Sequence, residues 1–177
     1  MKSYEMLPTE ENLIDFFVKD AIKRNKDIAN FYKILQCQEQ QSAIAIDGRW
    51  GSGKTFFVRQ TKMVISAFNS YSNMEGNLRN KIISKLPQLN VDENTETSII
   101  SVYYDAWEND NDTEPILSLI YEITKQLSVD FSLSDKKIVN VADVIIESIS
   151  GWNIKKIKDA FTSEDPFTKF KEQKNIE

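Results

Sequence analysis

The segment that most constrains this chain is a run of eight residues that holds three glycines, a lysine and a threonine. It reads Gly48-Arg49-Trp50-Gly51-Ser52-Gly53-Lys54-Thr55 and fits the P-loop pattern G-x-x-x-x-G-K-[ST] at every position. The chain has only five glycines, so their concentration here is informative. Glycine tolerates backbone conformations that other residues avoid, and the run therefore predicts a tightly curled loop.

The residues on either side of this loop predict a strand before it and a helix after it. Ala43-Ile44-Ala45-Ile46 is apolar and strand-sized, and Phe56-Phe57-Val58 begins an apolar pattern with helical spacing. A second core strand is expected at Ser98–Tyr104, which is rich in β-branched and aromatic residues. We therefore expect an α/β fold of the P-loop NTPase type, with a parallel sheet and flanking helices, and incomplete within these residues.

Helical spacing of apolar residues predicts the other elements. Thr9 is placed to cap a first helix that runs to about Arg24. The remaining helices are expected at about 27–36, from the loop to about 69, in a short stretch around 78–86, and at about 115–127, 135–150 and 152–161. The expected organisation is one partial domain over 1–177: a helical lead-in (1–41), a nucleotide-binding core (42–127) and a helical region (128–177).

The loop has the residue types that a polyphosphate needs. Its glycines let successive amides, from about Gly51 to Thr55, point at one anion without a side chain in the way. Lys54 is expected to reach the β and γ phosphates as the catalytic lysine, and the Thr55 hydroxyl to ligate Mg²⁺. The predicted nucleotide-binding residues are Gly48, Trp50, Gly51, Ser52, Gly53, Lys54, Thr55 and Phe56. The alternative is a glycine-rich turn without a ligand.

ATP is favoured over GTP as the nucleotide. A guanine-reading Asn-Lys-x-Asp run is missing, because Asn25-Lys26-Asp27 lacks the spacer and precedes the loop. ATP and Mg²⁺ are therefore the expected cofactors.

Composition narrows the other possibilities. The net charge of -5 over 177 residues gives no support to broad nucleic-acid binding. Cys37 is the single cysteine and there is no histidine, which argues against a disulfide framework or a metal site of those residues. No apolar run has a membrane-spanning length, and the first residues lack the build of a secretory signal. A cytoplasmic protein is expected.

A second motif lies further along the chain than the glycine-rich loop. The run Tyr103-Tyr104-Asp105-Ala106-Trp107-Glu108, followed by Glu114-Pro115, resembles the KAP family of P-loop NTPases, as does Trp50-Gly51-Ser52-Gly53-Lys54-Thr55. The resemblance covers about 13–127. It implies ATP hydrolysis coupled to conformational change, with roles at membranes in some members and exclusion of phage in others. Membrane attachment is not carried over, because no transmembrane segment is visible in the sequence.

The resemblance also implies where the Walker B carboxylates should lie in the chain. It places the acidic Walker B strand later in the chain, in an apolar run that ends in paired acids, and no such run follows Leu127. Val144-Ile145-Ile146-Glu147 fits a helical face better. Asp105 could imitate the Walker B aspartate, while Trp107 is either a core aromatic or, with Glu108, part of a nucleotide pocket. We expect the water-activating carboxylate to lie outside these residues.

Three functions fit this reading. The first is the N-terminal part of a KAP-like ATPase, which is expected to bind ATP–Mg²⁺ and, with these residues alone, to hydrolyse ATP slowly or not at all. The second is a nucleotide-gated module that contacts a protein partner or self-associates. The third is a small-molecule kinase, disfavoured because Arg79 is the last arginine and such enzymes clamp the transferred phosphate with arginines.

Overall fold

The computed structural model describes residues 7–40, 42–86, 98–110 and 115–131. The chain divides into two compact units, Met1–Ser101 and Val102–Glu177. The described ranges contain five helices: α1 (Glu10–Val18), α2 (Asn25–Gln36), α3 (Lys54–Phe68), α4 (Gly76–Ile83) and α5 (Pro115–Phe131). Helices α1 to α4 belong to the first unit and α5 to the second. The helices predicted at 135–150 and 152–161 lie outside the described residues.

The predicted parallel sheet is wrong, because the described residues contain no strand and more than half of them are helical. Residues 42–49, including the predicted strand, lie on the surface, with Ile44 and Ile46 45% and 37% exposed. Residues 98–105 also form neither helix nor strand. An apolar run becomes a core strand only where another segment pairs with its amides and carbonyls. No segment of the described chain forms such a ladder with either run.

Helix α1 begins where the sequence predicts. The Thr9 side chain accepts a hydrogen bond from the Asn12 amide at 3.3 Å, so the predicted N-cap is confirmed. Glu10 and Glu11 follow in the first turn, where negative charge complements the helix dipole.

The end of α1 differs from the prediction, because the helix stops at Val18 and does not continue to Arg24. Asp20 adopts a left-handed conformation with φ of 48°. Its amide donates to Phe17 O at 3.1 Å, and the Ala21 amide donates to Phe16 O at 2.9 Å. This pair of bonds is a Schellman ending, in which the left-handed residue is usually glycine. An aspartate in that position gave no clear stop signal in the sequence.

Helix α3 is the element on which the first unit is built, since α1, α2 and α4 all pack against it. Its buried residues recur at helical spacing, which the apolar pattern after the loop predicts. Aromatic rings from α1 and α2 pack on its first turn, and Tyr32 of α2 stacks on Phe68 at its carboxyl end. The buried core comprises Phe17, Ile28, Ala29, Tyr32, Val64, Ile65, Ala67, Phe68, Ile82 and Leu86.

Arg79 of α4 closes the carboxyl end of α3. Its guanidinium donates to Ala67 O at 3.1 Å, to Asn69 O at 2.8 Å, and to both the carbonyl and the hydroxyl of Ser72 at 3.0 Å. The last carbonyls of a helix have no partner within the helix, and a forked cation can satisfy several of them together. Arg79 therefore fixes α4 against the end of α3.

In the second unit, a side chain of α5 takes the role that a neighbouring strand would have. Gln126 accepts a hydrogen bond from the Tyr103 amide at 3.0 Å and donates to the Tyr103 carbonyl at 2.6 Å. The Tyr104 hydroxyl also bonds to the buried Ser118 hydroxyl at 3.2 Å. Ile120, Ile123 and Leu127 give α5 its buried face.

We expect Arg79→Ala to destabilise the first unit by about 2 kcal/mol, because it leaves several part-buried acceptors without their charged donor. Arg79→Lys should recover only part of this loss, since an ammonium cannot reproduce the fork. Urea unfolding measures the effect, and Lys81→Ala, on an exposed position of the same helix, controls for loss of charge. Equal midpoints for Arg79→Ala and Lys81→Ala would contradict the prediction.

Candidate functional site

The glycine loop (residues 48–53) joins the exposed segment 42–47 to helix α3. Gly51 and Gly53 have φ of 74° and 83°, in the left-handed region where a side chain is strained. The Ser52 amide donates to Arg49 O at 3.1 Å, which closes a turn across the loop. The predicted curl is therefore present, and it uses glycine at the two positions that need it.

Lys54 points back into this loop from the first residue of α3. Its Nζ donates to Gly48 O at 2.6 Å and to Arg49 O at 3.2 Å. The ammonium thus lies beside the first two residues of the loop, and it holds the loop closed by bonding to carbonyls at the other end of the motif. An ammonium carries three donors, and these contacts use two of them.

The start of α3 has no side-chain cap. Gly53 occupies the N-cap position and has no side chain, and the first bond of the helix runs from the Phe57 amide to Gly53 O at 3.0 Å. The amides that precede Phe57 at a helix start have no partner within the helix. Together with the helix dipole, such amides favour an anion. Thr55 is exposed in this first turn, and Ser52 is half-buried in the loop.

The two aromatic residues among the predicted site residues differ in their exposure. Trp50, at the turn of the loop, is 92% exposed. The Phe56 side chain is buried and stacks on Phe16 of α1, with ring centroids 5.7 Å apart. Phe56 therefore contributes its backbone to the loop side of the helix and its ring to the core.

Asp47 directly precedes the glycine loop and bonds to its first residue, and it was not among the predicted site residues. Its carboxylate accepts a hydrogen bond from the Gly48 amide at 2.7 Å. An aspartate directly before a glycine-rich turn is a common turn-forming arrangement, and that was the available signal.

The aspartate considered as a Walker B candidate is occupied by local bonds. One oxygen of Asp105 accepts from the Trp107 amide at 3.0 Å and from the Glu108 amide at 3.4 Å. The other accepts from the Tyr103 hydroxyl at 2.9 Å. Asp105 thus shapes the turn that follows it. Trp107 is 80% exposed, so the interpretation of this residue as a core aromatic is wrong.

Two absences hold for the described ranges. Within them, no three His, Cys, Asp or Glu side chains are grouped so that they could hold a metal ion. No helix in that part of the chain combines the length and apolar character needed to cross a bilayer.

The loop, its lysine and the helix that follows define this chain as a P-loop protein. Comparison with family models matches residues 24–174 to the KAP family P-loop domain, and the chain belongs to the KAP family of P-loop NTPases. The resemblance drawn from the sequence is confirmed. Comparisons with curated proteins and with solved structures gave no match.

The left-handed glycines give a stability test. Gly53→Ala has open space for its new Cβ but keeps φ near 83°, so we expect a loss of about 1 kcal/mol from backbone strain. Gly76→Ala also has open space, without the positive φ, and should be neutral or stabilise by up to about 1 kcal/mol. Urea unfolding of both variants checks this. Equal stabilities would mean that the loop does not hold Gly53 in this conformation.

Proposed function

We propose that this chain binds ATP together with Mg²⁺ through the glycine loop and the first turn of α3. The observation that carries the proposal is the position of Lys54, whose ammonium bonds to Gly48 O and Arg49 O within the loop. A nucleotide triphosphate requires a cation and several amide donors at one place. The loop brings these groups together in a chain that belongs to a P-loop NTPase family.

Each residue has a separate part in the proposed complex. Lys54 would exchange a carbonyl contact for the β and γ phosphate oxygens. The amides of Gly51 and of residues 53–55 would donate to the remaining oxygens, while the Ser52 amide keeps its bond to Arg49 O. The exposed Thr55 hydroxyl would hold Mg²⁺, which would neutralise phosphate charge. A side chain at Gly48 would crowd the Ser52 hydroxyl, because its Cβ would lie 2.8 Å away.

The preference for adenine gains support from α2. The nearest approach to a guanine-reading sequence, Asn25-Lys26-Asp27, forms the first turn of this helix. The Asn25 side chain is buried and donates to Phe17 O at 2.8 Å. Its amide is committed to joining α1 and α2, so it is not available to read a base.

ATP binding is proposed here, and ATP hydrolysis is not. A hydrolase needs a carboxylate or an equivalent group to orient the attacking water. Asp47, beside the loop, is bonded to Gly48, and Asp105 is bonded within its own turn. Neither is proposed as that group.

Lys54→Ala should weaken ATP binding by about 10- to 100-fold, because charge-assisted bonds to phosphate are lost. Thr55→Ala should act differently, with a loss of the Mg²⁺-dependent part of the affinity and little change without Mg²⁺. Titration calorimetry with ATP, with and without Mg²⁺, measures both. Lys81→Ala, an exposed lysine on α4, is the matched control. Affinity that is unchanged in Lys54→Ala would refute the proposal.

The wider role is proposed from the family resemblance alone. It consists of action through a protein partner or self-association, and exclusion of phage in a bacterial host. A host that expresses the intact gene should reduce phage plaque number relative to a host that expresses Lys54→Ala. Equal plaque numbers over a broad phage panel would remove this part of the proposal.

A further inference from the structure

We infer that two aromatic contacts from the lead-in helices position the glycine loop for its ligand, an inference that rests on the proposed function. Phe16 of α1 stacks on Phe56, with centroids 5.7 Å apart, and Phe31 of α2 packs on Phe57, with centroids 5.5 Å apart. We call these two pairs the aromatic clamp. Each lead-in helix thus places one ring on one of the two residues that directly follow Thr55.

A buried hydrogen bond strengthens the α1 side of this clamp. Gln60 lies one turn after Phe56 on α3 and is 2% exposed. Its side-chain amide donates to Leu13 O in α1 at 3.0 Å. The same face of α3 therefore holds α1 by a ring contact and by a hydrogen bond, which fixes both the separation and the register of the two helices.

The clamp acts on the loop through the first turn of α3. The Phe57 amide makes the first helical bond, to Gly53 O at 3.0 Å, and Lys54 begins the helix. Residues 42–47, on the other side of the loop, are all exposed, whereas Phe56 on the helix side is buried. The packed helix side therefore contributes most to the order of the loop. Packing of Phe56 and Phe57 decides how often that first turn is formed.

The consequence for binding follows from population arithmetic. The apparent affinity of a ligand falls in proportion to the fraction of molecules in the binding-competent conformation. Where loss of the clamp leaves the first turn formed in about one molecule in ten, the affinity for ATP–Mg²⁺ falls about tenfold. Phe16 and Phe31 are thus positioning residues that act through Phe56 and Phe57.

The test compares Phe16→Leu and Phe31→Leu with Tyr32→Leu. Tyr32 stacks on Phe68 at the far end of α3, with centroids 5.1 Å apart, and it is fully buried. Its substitution should destabilise the unit at least as much as either clamp variant. A merely structural role predicts that all three variants behave alike near the loop.

Two readouts are used, and the first needs no nucleotide. Hydrogen exchange at the Phe57 amide should become about tenfold faster in the clamp variants than in Tyr32→Leu at matched temperature below unfolding. ATP–Mg²⁺ affinity should fall about tenfold in the clamp variants and stay near that of the unaltered chain in Tyr32→Leu. Phe16→Tyr, which keeps the ring on a half-buried residue, should restore both readouts.

The possible results distinguish failure of the inference from failure of the proposed function. Equal exchange at Phe57 in the clamp variants and in Tyr32→Leu overturns the inference. Normal ATP affinity in the clamp variants overturns it as well, while the loss in Lys54→Ala leaves the proposed function standing. Failure of the unaltered chain to bind ATP refutes the proposed function, and the exchange readout then decides by itself whether the clamp orders the loop.

Discussion

The burial of helix α3 is the constraint on which the first unit depends. One end of this helix must stay open to carry the loop, while its body is covered by α1, α2 and α4. Full burial of a phenylalanine side chain is worth roughly 1.5–3 kcal/mol of hydrophobic free energy. Near the loop, Phe56 is buried and stacks on the half-buried Phe16. The amide groups at the helix start gain nothing from that burial. They stay available for an anion because packing, and not a capping side chain, holds the helix.

Local chemistry explains which elements could be predicted. The loop is specified within eight residues, and both of its left-handed positions are occupied by glycine, at Gly51 and Gly53. The N-cap of α1 is specified by Thr9 in the same local way. The end of α1 was missed because its left-handed residue is Asp20, and the apolar pattern continues past it. Aspartate is tolerated there because its carboxylate accepts from the Asn25 amide at 3.2 Å, where α2 begins.

The sheet prediction was wrong because a strand forms only where a neighbouring segment pairs with its amides and carbonyls. Ile44 and Ile46 make burial favourable, but an apolar run carries no information about which segment would cover it. In residues 102–105, the backbone of Tyr103 is satisfied by the Gln126 side chain. That bond joins residues 23 positions apart and has no pattern in the sequence. The same limit applies to Asp105, whose bonds to its own turn became visible only from the structure.

The contacts of Lys54 influence the free energy of the proposed ATP binding. Its ammonium is held by carbonyl dipoles, which are weaker partners for a cation than a phosphate oxygen with full negative charge. Replacing the carbonyl contacts of the ammonium with phosphate contacts therefore favours nucleotide binding. This replacement requires movement of the flexible Lys54 side chain and not of the loop backbone. The strain at Gly51 and Gly53 is already absorbed by glycine, so it adds no cost on binding. A loop that is curled before its ligand arrives loses little conformational entropy, which makes the rigidity of α3 part of the affinity.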